Sequence, residues 1–197
     1  MRIIAGDLRG RRIDAPDGQG TRPMLDRVRE ALFSTLGAEA VEGARVLDLF
    51  SGSGSLALEA LSRGAAFARC VESGRKALDA LHRNVEALGL GDKAKVVRAD
   101  ALKKSAWGDV RASLVFLDPP YAAIEDPIAR EKLLTALDLL RREHVTDAAR
   151  LVLHAPARSL ELLRHRFPGS DLRAYGDSAL LYLEAERAGA HERGSAP

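Results

Sequence analysis

Two short stretches of the chain hold residue types that could do chemistry. The first is Asp118-Pro119-Pro120-Tyr121. Consecutive prolines fix two φ angles and remove two N–H donors, so the carbonyls and flanking side chains are held rigidly. The tetrapeptide is a preorganised acceptor site. An exocyclic amine on a planar base has a delocalised lone pair and is a poor nucleophile. Two acceptors gripping its hydrogens, the Asp118 carboxylate and the Pro119 carbonyl, can aim its nitrogen at an incoming methyl group, and Tyr121 can stack on the base. A turn without chemistry is the rival reading of paired prolines. The apolar strand ahead of Asp118 and a second motif upstream weigh against it.

That second motif runs from Asp48 to Ala57, DLFSGSGSLA. Gly52 and Gly54 allow a tight turn with close backbone approach to a ligand, and a helix opening near Ser55 would present free N–H groups there. The spacing Gly52-x-Gly54-x-x-Ala57, with Glu72 further on to hold ribose hydroxyls, fits a loose dinucleotide fingerprint. It does not by itself separate a nicotinamide cofactor from S-adenosylmethionine. Charge does: Asp48 facing the ligand is tolerable beside a cationic sulfonium and ammonium, and awkward beside a pyrophosphate. Asp100 follows a third strand, where its carboxylate or the adjacent N–H of Ala101 can read an adenine edge, although an Asp there also serves as a helix cap. Acids at the carboxyl ends of successive strands mark the crevice where open α/β sheets bind ligands.

The elements that must position these residues alternate regularly. Strands are predicted at 45–50, 67–72, 95–98, 113–117 and 150–154, and helices at 55–63, 75–88, 127–142 and 159–166. Apolar strands in βαβα order imply an α/β fold with a mostly parallel sheet covered on both faces. Strand-like 171–175 and 179–184, joined by Gly176-Asp177-Ser178, form a C-terminal antiparallel hairpin. Ahead of the sheet, β-like pieces at 2–5 and 11–14 read as a hairpin arm, followed by a helix at 25–36 that Gly37 can end. That helix is read with Arg27, Arg29 and Glu30 on its polar side. The expected organisation is an arm and helix at 1–37, a catalytic domain at 38–186 and a disordered tail at 187–197.

Composition bounds the rest. The 197 residues are 46% hydrophobic and 29% charged, enough for one folded domain. No apolar run suits a membrane helix or a secretory signal, so a cytoplasmic protein is expected. Cys70 is the only cysteine, and His82, His144, His154, His165 and His191 lack metal-ligand spacing. No metal is expected, Cys70 and the histidines read as packing or surface residues, and Trp107 reads as a loop residue that packs there or touches RNA. The net charge of +2 gives no warrant for a polyanionic partner, but residues 1–29 carry seven arginines against four aspartates, a local +3.

The order DLFSGSG, VE, AD and DPPY resembles the Rossmann-like class I S-adenosylmethionine-dependent methyltransferases that act on exocyclic or amide nitrogens. RGRRI at 9–13, TRPMLDRVREALF at 21–33, LDLFSGSGSLALEALSRGA at 47–65 and AYGDSALLYLE at 174–184 narrow this. They resemble the RsmD family, bacterial enzymes that methylate N2 of a guanine in small-subunit (16S) ribosomal RNA. The resemblance implies S-adenosylmethionine as methyl donor, held by Asp48, Gly52, Gly54, Glu72, Asp100, Ala101 and Asp118. It implies an acceptor site of Asp118, Pro119 and Tyr121, and RNA contacts by Arg9, Arg11, Arg12, Arg22 and Arg29, with Asp26, Arg22 and Arg29 alternatively closing the cofactor pocket. A monomer acting on a partly or fully assembled small subunit is expected. Met24 replaces a small hydroxyl residue usual in the family, and Ser73-Gly74 replace charged ones. The rival acceptors for the same fold are adenine N6 in DNA and a protein glutamine amide; a non-catalytic RNA-binding module and a nicotinamide oxidoreductase lie further off. A chain beginning near residue 21 is expected to keep cofactor binding and lose RNA methylation.

Overall fold

A computed structural model describes residues 1–15, 24–109 and 111–186. Arg22, the turn residues Pro16, Gly18, Gly20 and Pro23, and the tail 187–197 lie outside the described residues.

The sheet is built from β1 (Arg45–Leu49), β2 (Phe67–Glu72), β3 (Ala94–Arg98), β4 (Ala112–Leu117), β5 (Val145–Pro156), β6 (Asp171–Tyr175) and β7 (Ser178–Glu184). Their order is β3-β2-β1-β4-β5-β7-β6. The first five are parallel, and β7 runs antiparallel to both β5 and β6. Chain direction across the sheet reverses between β1 and β4, which is the switch point where open α/β sheets leave a ligand crevice. Asp48 pairs with Phe116 and Leu49 with Leu117, so Asp118 begins one residue beyond the β1 tip, its N–H donating to the Leu49 carbonyl (3.2 Å).

Apolar residues on the two sheet faces form two clusters. Helices α1 (Asp26–Leu36), α2 (Ser55–Ser62) and α3 (Arg75–Ala87) cover one face, contributing Leu32, Phe33, Leu58 and Leu81 among others. The other is packed by α4 (Lys104–Trp107), α5 (Tyr121–Glu125), α6 (Pro127–Leu139) and α7 (Leu160–Arg166), with Trp107, Leu137 and Leu163 at its centre. Pro127 opens α6 behind Asp126, whose side chain accepts the Ala129 N–H (2.7 Å), a proline-plus-aspartate start that satisfies an orphan donor.

Several expectations are corrected. Helix α6 ends three residues early in a π-type turn, Leu140–His144, and β5 begins at Val145 rather than 150. Polar Thr146 and Asp147 hide the extension: Val145 pairs with Ala112, the register slips, and pairing resumes at Arg150 with Leu114. Trp107 is buried, donating its indole N–H to the Ala101 carbonyl (2.9 Å), so it serves the core.

The larger correction concerns the N-terminal arm. Its hairpin is reduced to one bridge, between Arg2 and Arg12, yet Ile3 and Ile13 are each only 2% exposed and belong to the α1–α2–α3 cluster. Docking is polar as well. The buried Glu59 carboxylate accepts the Ile4 and Ala5 N–H groups (2.7 and 3.0 Å), and Ser62 Oγ donates to the Ala5 carbonyl (2.6 Å). Gly6, at φ +81°, lets the chain pass so close to α2 that a Cβ would fall 1.8 Å from the Ser62 carbonyl oxygen. Residues 1–15 therefore share the core of the sheet domain, and no packing boundary falls at residue 37. Met24, buried in the same cluster, fills apolar space where a hydroxyl would lack purpose.

Candidate active site

The turn after β1 carries the largest local constraint. Phe50 has φ +62°, costly for a residue with a Cβ, and Gly52 and Gly54 follow at +57° and +84°. Around Gly52 there is open space where a Cβ would lie, so a ligand can approach the backbone there. At Gly54 a Cβ would lie 2.4 Å from Leu81 Cδ1, so the second glycine is needed for packing against α3. Ser51 secures the turn, donating Oγ–H to the Asp48 carbonyl (2.7 Å) while its N–H reaches the Val71 carbonyl (3.1 Å).

Asp48 is 1% exposed. Its Oδ2 accepts the Ala57 N–H (3.3 Å), and its Oδ1 has no partner among the described residues. Burial, reinforced by the nearby Asp118 and Glu72 carboxylates, raises its pKa well above the usual carboxylate range. A buried acid with an idle oxygen beside two further acids is a site for a cationic group.

Glu72 is held by three backbone donors: Gly52 N–H on Oε2 (2.9 Å), and Ser73 and Gly74 N–H on Oε1 (2.8 and 2.7 Å). A side chain at 74 would start 3.2 Å from Oε1, so glycine there lets the backbone fold onto the acid. A carboxylate offers about four lone-pair sites, which leaves capacity for a hydroxyl. Asp100 Oδ1 accepts the Leu102 N–H (3.0 Å), closing a local turn with Asp100 exposed and Ala101 buried behind it.

At the tip of β4, Pro119 is buried and the Asp118 side chain is 27% exposed. Two residues outside the motif join it. His154 of β5 places Nδ1 2.7 Å from Asp118 Oδ1 and Nε2 3.3 Å from the Tyr121 hydroxyl. Ser178, the first residue of β7, sits 3.0 Å from that hydroxyl. Sequence reasoning set His154 aside for want of metal spacing; the available signal was a single polar side chain in the apolar run Leu151-Val152-Leu153, at the strand end where Asp118 emerges.

Asn84 of α3 was also missed. Nearly buried, it donates to the Ser53 carbonyl (2.9 Å) and the Asp14 carbonyl (3.0 Å) and accepts the Asp14 N–H (2.7 Å), tying the glycine turn to the N-terminal segment. Asn84→Ala takes the partner from the buried Ser53 carbonyl and from both backbone groups of the exposed Asp14. We expect a loss of about 1–3 kcal/mol of stability and weaker ligand retention at the glycine turn, read by thermal melts with and without ligand; an unchanged melting temperature would show the bridge to be idle.

The arginines separate. Arg9, Arg11 and Arg12 are exposed, with Arg11 also donating to the Ala87 carbonyl at the end of α3 (2.6 Å). Arg29 is fully buried, so its expected contact with RNA is corrected: its guanidinium donates to the Arg2 carbonyl and to Asp26 (3.2 Å), pinning the N-terminus to α1.

A mostly parallel seven-stranded sheet ending in antiparallel strands, with an acid-lined crevice at its switch point, places the protein among the Rossmann-like methyltransferase folds. The chain belongs to the family described as conserved hypothetical protein 95, the RsmD family, whose model matches residues 1–183. It is 45% identical over 121 residues to ribosomal RNA small subunit methyltransferase D of Escherichia coli; the matched stretch spans 61% of this chain and 60% of that protein. The YlbH protein of Bacillus subtilis is 36% identical over 167 residues, 82% of this chain and 85% of its own length. Among solved structures, YhhF of Escherichia coli superimposes with a TM-score of 0.75 at 33% identity, covering 95% of this chain and 99% of that one. Among the described residues no helix is long and apolar enough to cross a membrane, and no cluster of His, Cys, Asp or Glu is arranged to hold a metal ion.

Proposed function

We propose that the protein methylates the exocyclic N2 amine of a guanine in small-subunit (16S) ribosomal RNA, using S-adenosylmethionine. The observation that carries this reading is the adjacency of a buried, half-partnered Asp48 and an acceptor tip, Asp118-Pro119, at the carboxyl ends of the neighbouring central strands β1 and β4. The residues suit the donor: Asp48 would answer its cationic end, the open backbone at Gly52 would admit it, Glu72 keeps capacity for a ribose diol, and Asp100-Ala101, after β3, would meet its adenine. Bound there, S-adenosylmethionine supplies a methyl group on cationic sulfur to an attacking nitrogen and departs as S-adenosylhomocysteine.

The protein's own part is positioning. The Asp118 carboxylate and Pro119 carbonyl accept the two amine hydrogens and turn the nitrogen lone pair outward from the base plane. The nitrogen becomes cationic on taking the methyl group, and that cation is strongly acidic, so the Asp118 carboxylate or water removes its proton without a stronger base. Tyr121, its hydroxyl fixed by His154 and Ser178, offers a ring to the base. The target guanine must be exposed in a loop or flipped from its stack. Arg9, Arg11 and Arg12 supply the phosphate contacts on the exposed N-terminal surface. The reading extends to a monomer in the cytoplasm acting on a partly or fully assembled small subunit.

The test is transfer of labelled methyl from S-adenosylmethionine to naked RNA, small subunits, DNA and protein, followed by nucleoside mass analysis. N2-methylguanosine in RNA is expected; label only in DNA or protein would overturn the reading.

Asp48 makes a separate prediction. Its raised pKa means that the ionised form opposes folding of the ligand-free protein, so stability is lost as pH rises from about 4 through the elevated native value. A cationic ligand reverses the preference and binds more tightly across the same window. Asp48→Asn is expected to melt at a higher temperature without ligand at pH 7 and to bind S-adenosylmethionine at least about tenfold more weakly, measured by scanning and titration calorimetry. Unchanged affinity would remove Asp48 from the cofactor site.

A further inference from the structure

Four side chains, from β7, α5, β5 and the residue just past β4, form one hydrogen-bonded chain at the acceptor tip: Ser178, Tyr121, His154 and Asp118. One assignment of donor and acceptor roles fits the geometry: a carboxylate oxygen accepts, so a proton on His154 Nδ1 points to Asp118 Oδ1. With that tautomer Nε2 is the acceptor, Tyr121 donates to it and Ser178 donates to Tyr121. The His154 side chain is 6% exposed, and its backbone is held between β4 and β7, with Leu153 opposite Leu117 and His154 opposite Leu180. The Tyr121 ring meets the imidazole edge to face at 5.6 Å.

We propose that His154 is a positioning residue for methyl transfer: its Nδ1–H holds Oδ1 of Asp118, so that Oδ2 is the oxygen presented to the acceptor amine. The inference rests on the methyl-transfer reading above and adds to it a residue outside the motif. The torsion that sets a carboxylate plane is broad and roughly two-fold, so an Asp at a strand tip has no intrinsic preference for one orientation. A short, charge-assisted bond from a nearly buried donor removes that freedom before the base arrives. Misdirection of the acceptor affects the rate of transfer, while His154 makes no hydrogen bond to Asp48, Gly52 or Glu72, the residues assigned to the donor.

Three substitutions separate aiming from space filling. In His154→Asn the amide nitrogen replaces Nδ1 and keeps the bond to Asp118. In His154→Gln the amide replaces Nε2, keeping the Tyr121 contact and losing the donor; His154→Ala loses both. We expect kcat to fall about 10- to 100-fold in the Gln and Ala variants and to stay within about fivefold of the parent in the Asn variant, with the calorimetric Kd for S-adenosylmethionine within about twofold throughout. Nitrogen-15 NMR of the ligand-free parent should show the Nδ1–H tautomer, a readout independent of turnover. Should the Ala variant not fold, the two amide variants carry the comparison alone. A Gln variant as fast as the parent, an Asn variant as slow as the Gln variant, or the opposite tautomer overturns the inference while the methyl-transfer reading stands. A parent that methylates no RNA overturns that reading, and the inference with it.

Discussion

Asp118→Ala is expected to lower methyl transfer by about 100- to 1000-fold and to leave S-adenosylmethionine binding within about threefold of the parent. The amine loses the acceptor that fixes one of its hydrogens, and its delocalised lone pair is no longer aimed. Binding is nearly conserved because two effects oppose each other. Removing the Asp118 charge subtracts attraction for a cationic ligand, and it also eases ionisation of Asp48, whose pKa Asp118 helps to raise. Asp118→Asn should be almost as damaging. With His154 Nδ1–H taking the amide oxygen, the amide NH2 faces the substrate amine, donor against donor. Single-turnover kinetics with calorimetric binding tests both variants, and full turnover in the Ala variant would refute the acceptor assignment.

The contiguous parts of the site were legible in the sequence; the parts that act across elements were not. The glycine turn, Glu72 and the acceptor tetrapeptide each occupy a strand end and the residues just after it, so local composition marks them. His154 and Ser178 reach Asp118 and Tyr121 through strand order, β4 beside β5 and β5 beside β7, which no local pattern encodes. Asn84 connects residues 31 and 70 positions away. Arg29 was legible but misread. It lies four residues after Leu25 and four before Phe33, and with Phe33 counted in the stripe it falls on the inward face of α1 beside Val28 and Leu32. Positive charge alone had placed it outside. Likewise the glycines and arginines of residues 1–15 suggested a solvent arm, whereas two isoleucines ten residues apart set its real role.

That role reverses the expectation for a shortened chain. Deleting residues 1–20 removes Ile3 and Ile13 from the core, each such loss costing about 2–5 kcal/mol. It also strips two N–H donors from the buried Glu59 carboxylate and the Arg2 carbonyl from buried Arg29, at about 1–3 kcal/mol for each group left unsatisfied. Domains of this size are stable by only about 5–15 kcal/mol. The deletion should therefore lower the melting temperature by more than about 10 °C or yield insoluble protein, and cofactor binding should fail with the fold, since Asn84 loses Asp14 and its hold on the glycine turn slackens. The RNA contribution is separable only by charge. Replacing Arg9, Arg11 and Arg12 together with alanine, all three exposed, should change stability by less than about 1.5 kcal/mol. The same variant should weaken RNA binding and flatten its salt dependence by about one unit per lost phosphate contact. A deleted chain that melts within a few degrees of the parent and binds S-adenosylmethionine normally would show that the hairpin is an arm after all.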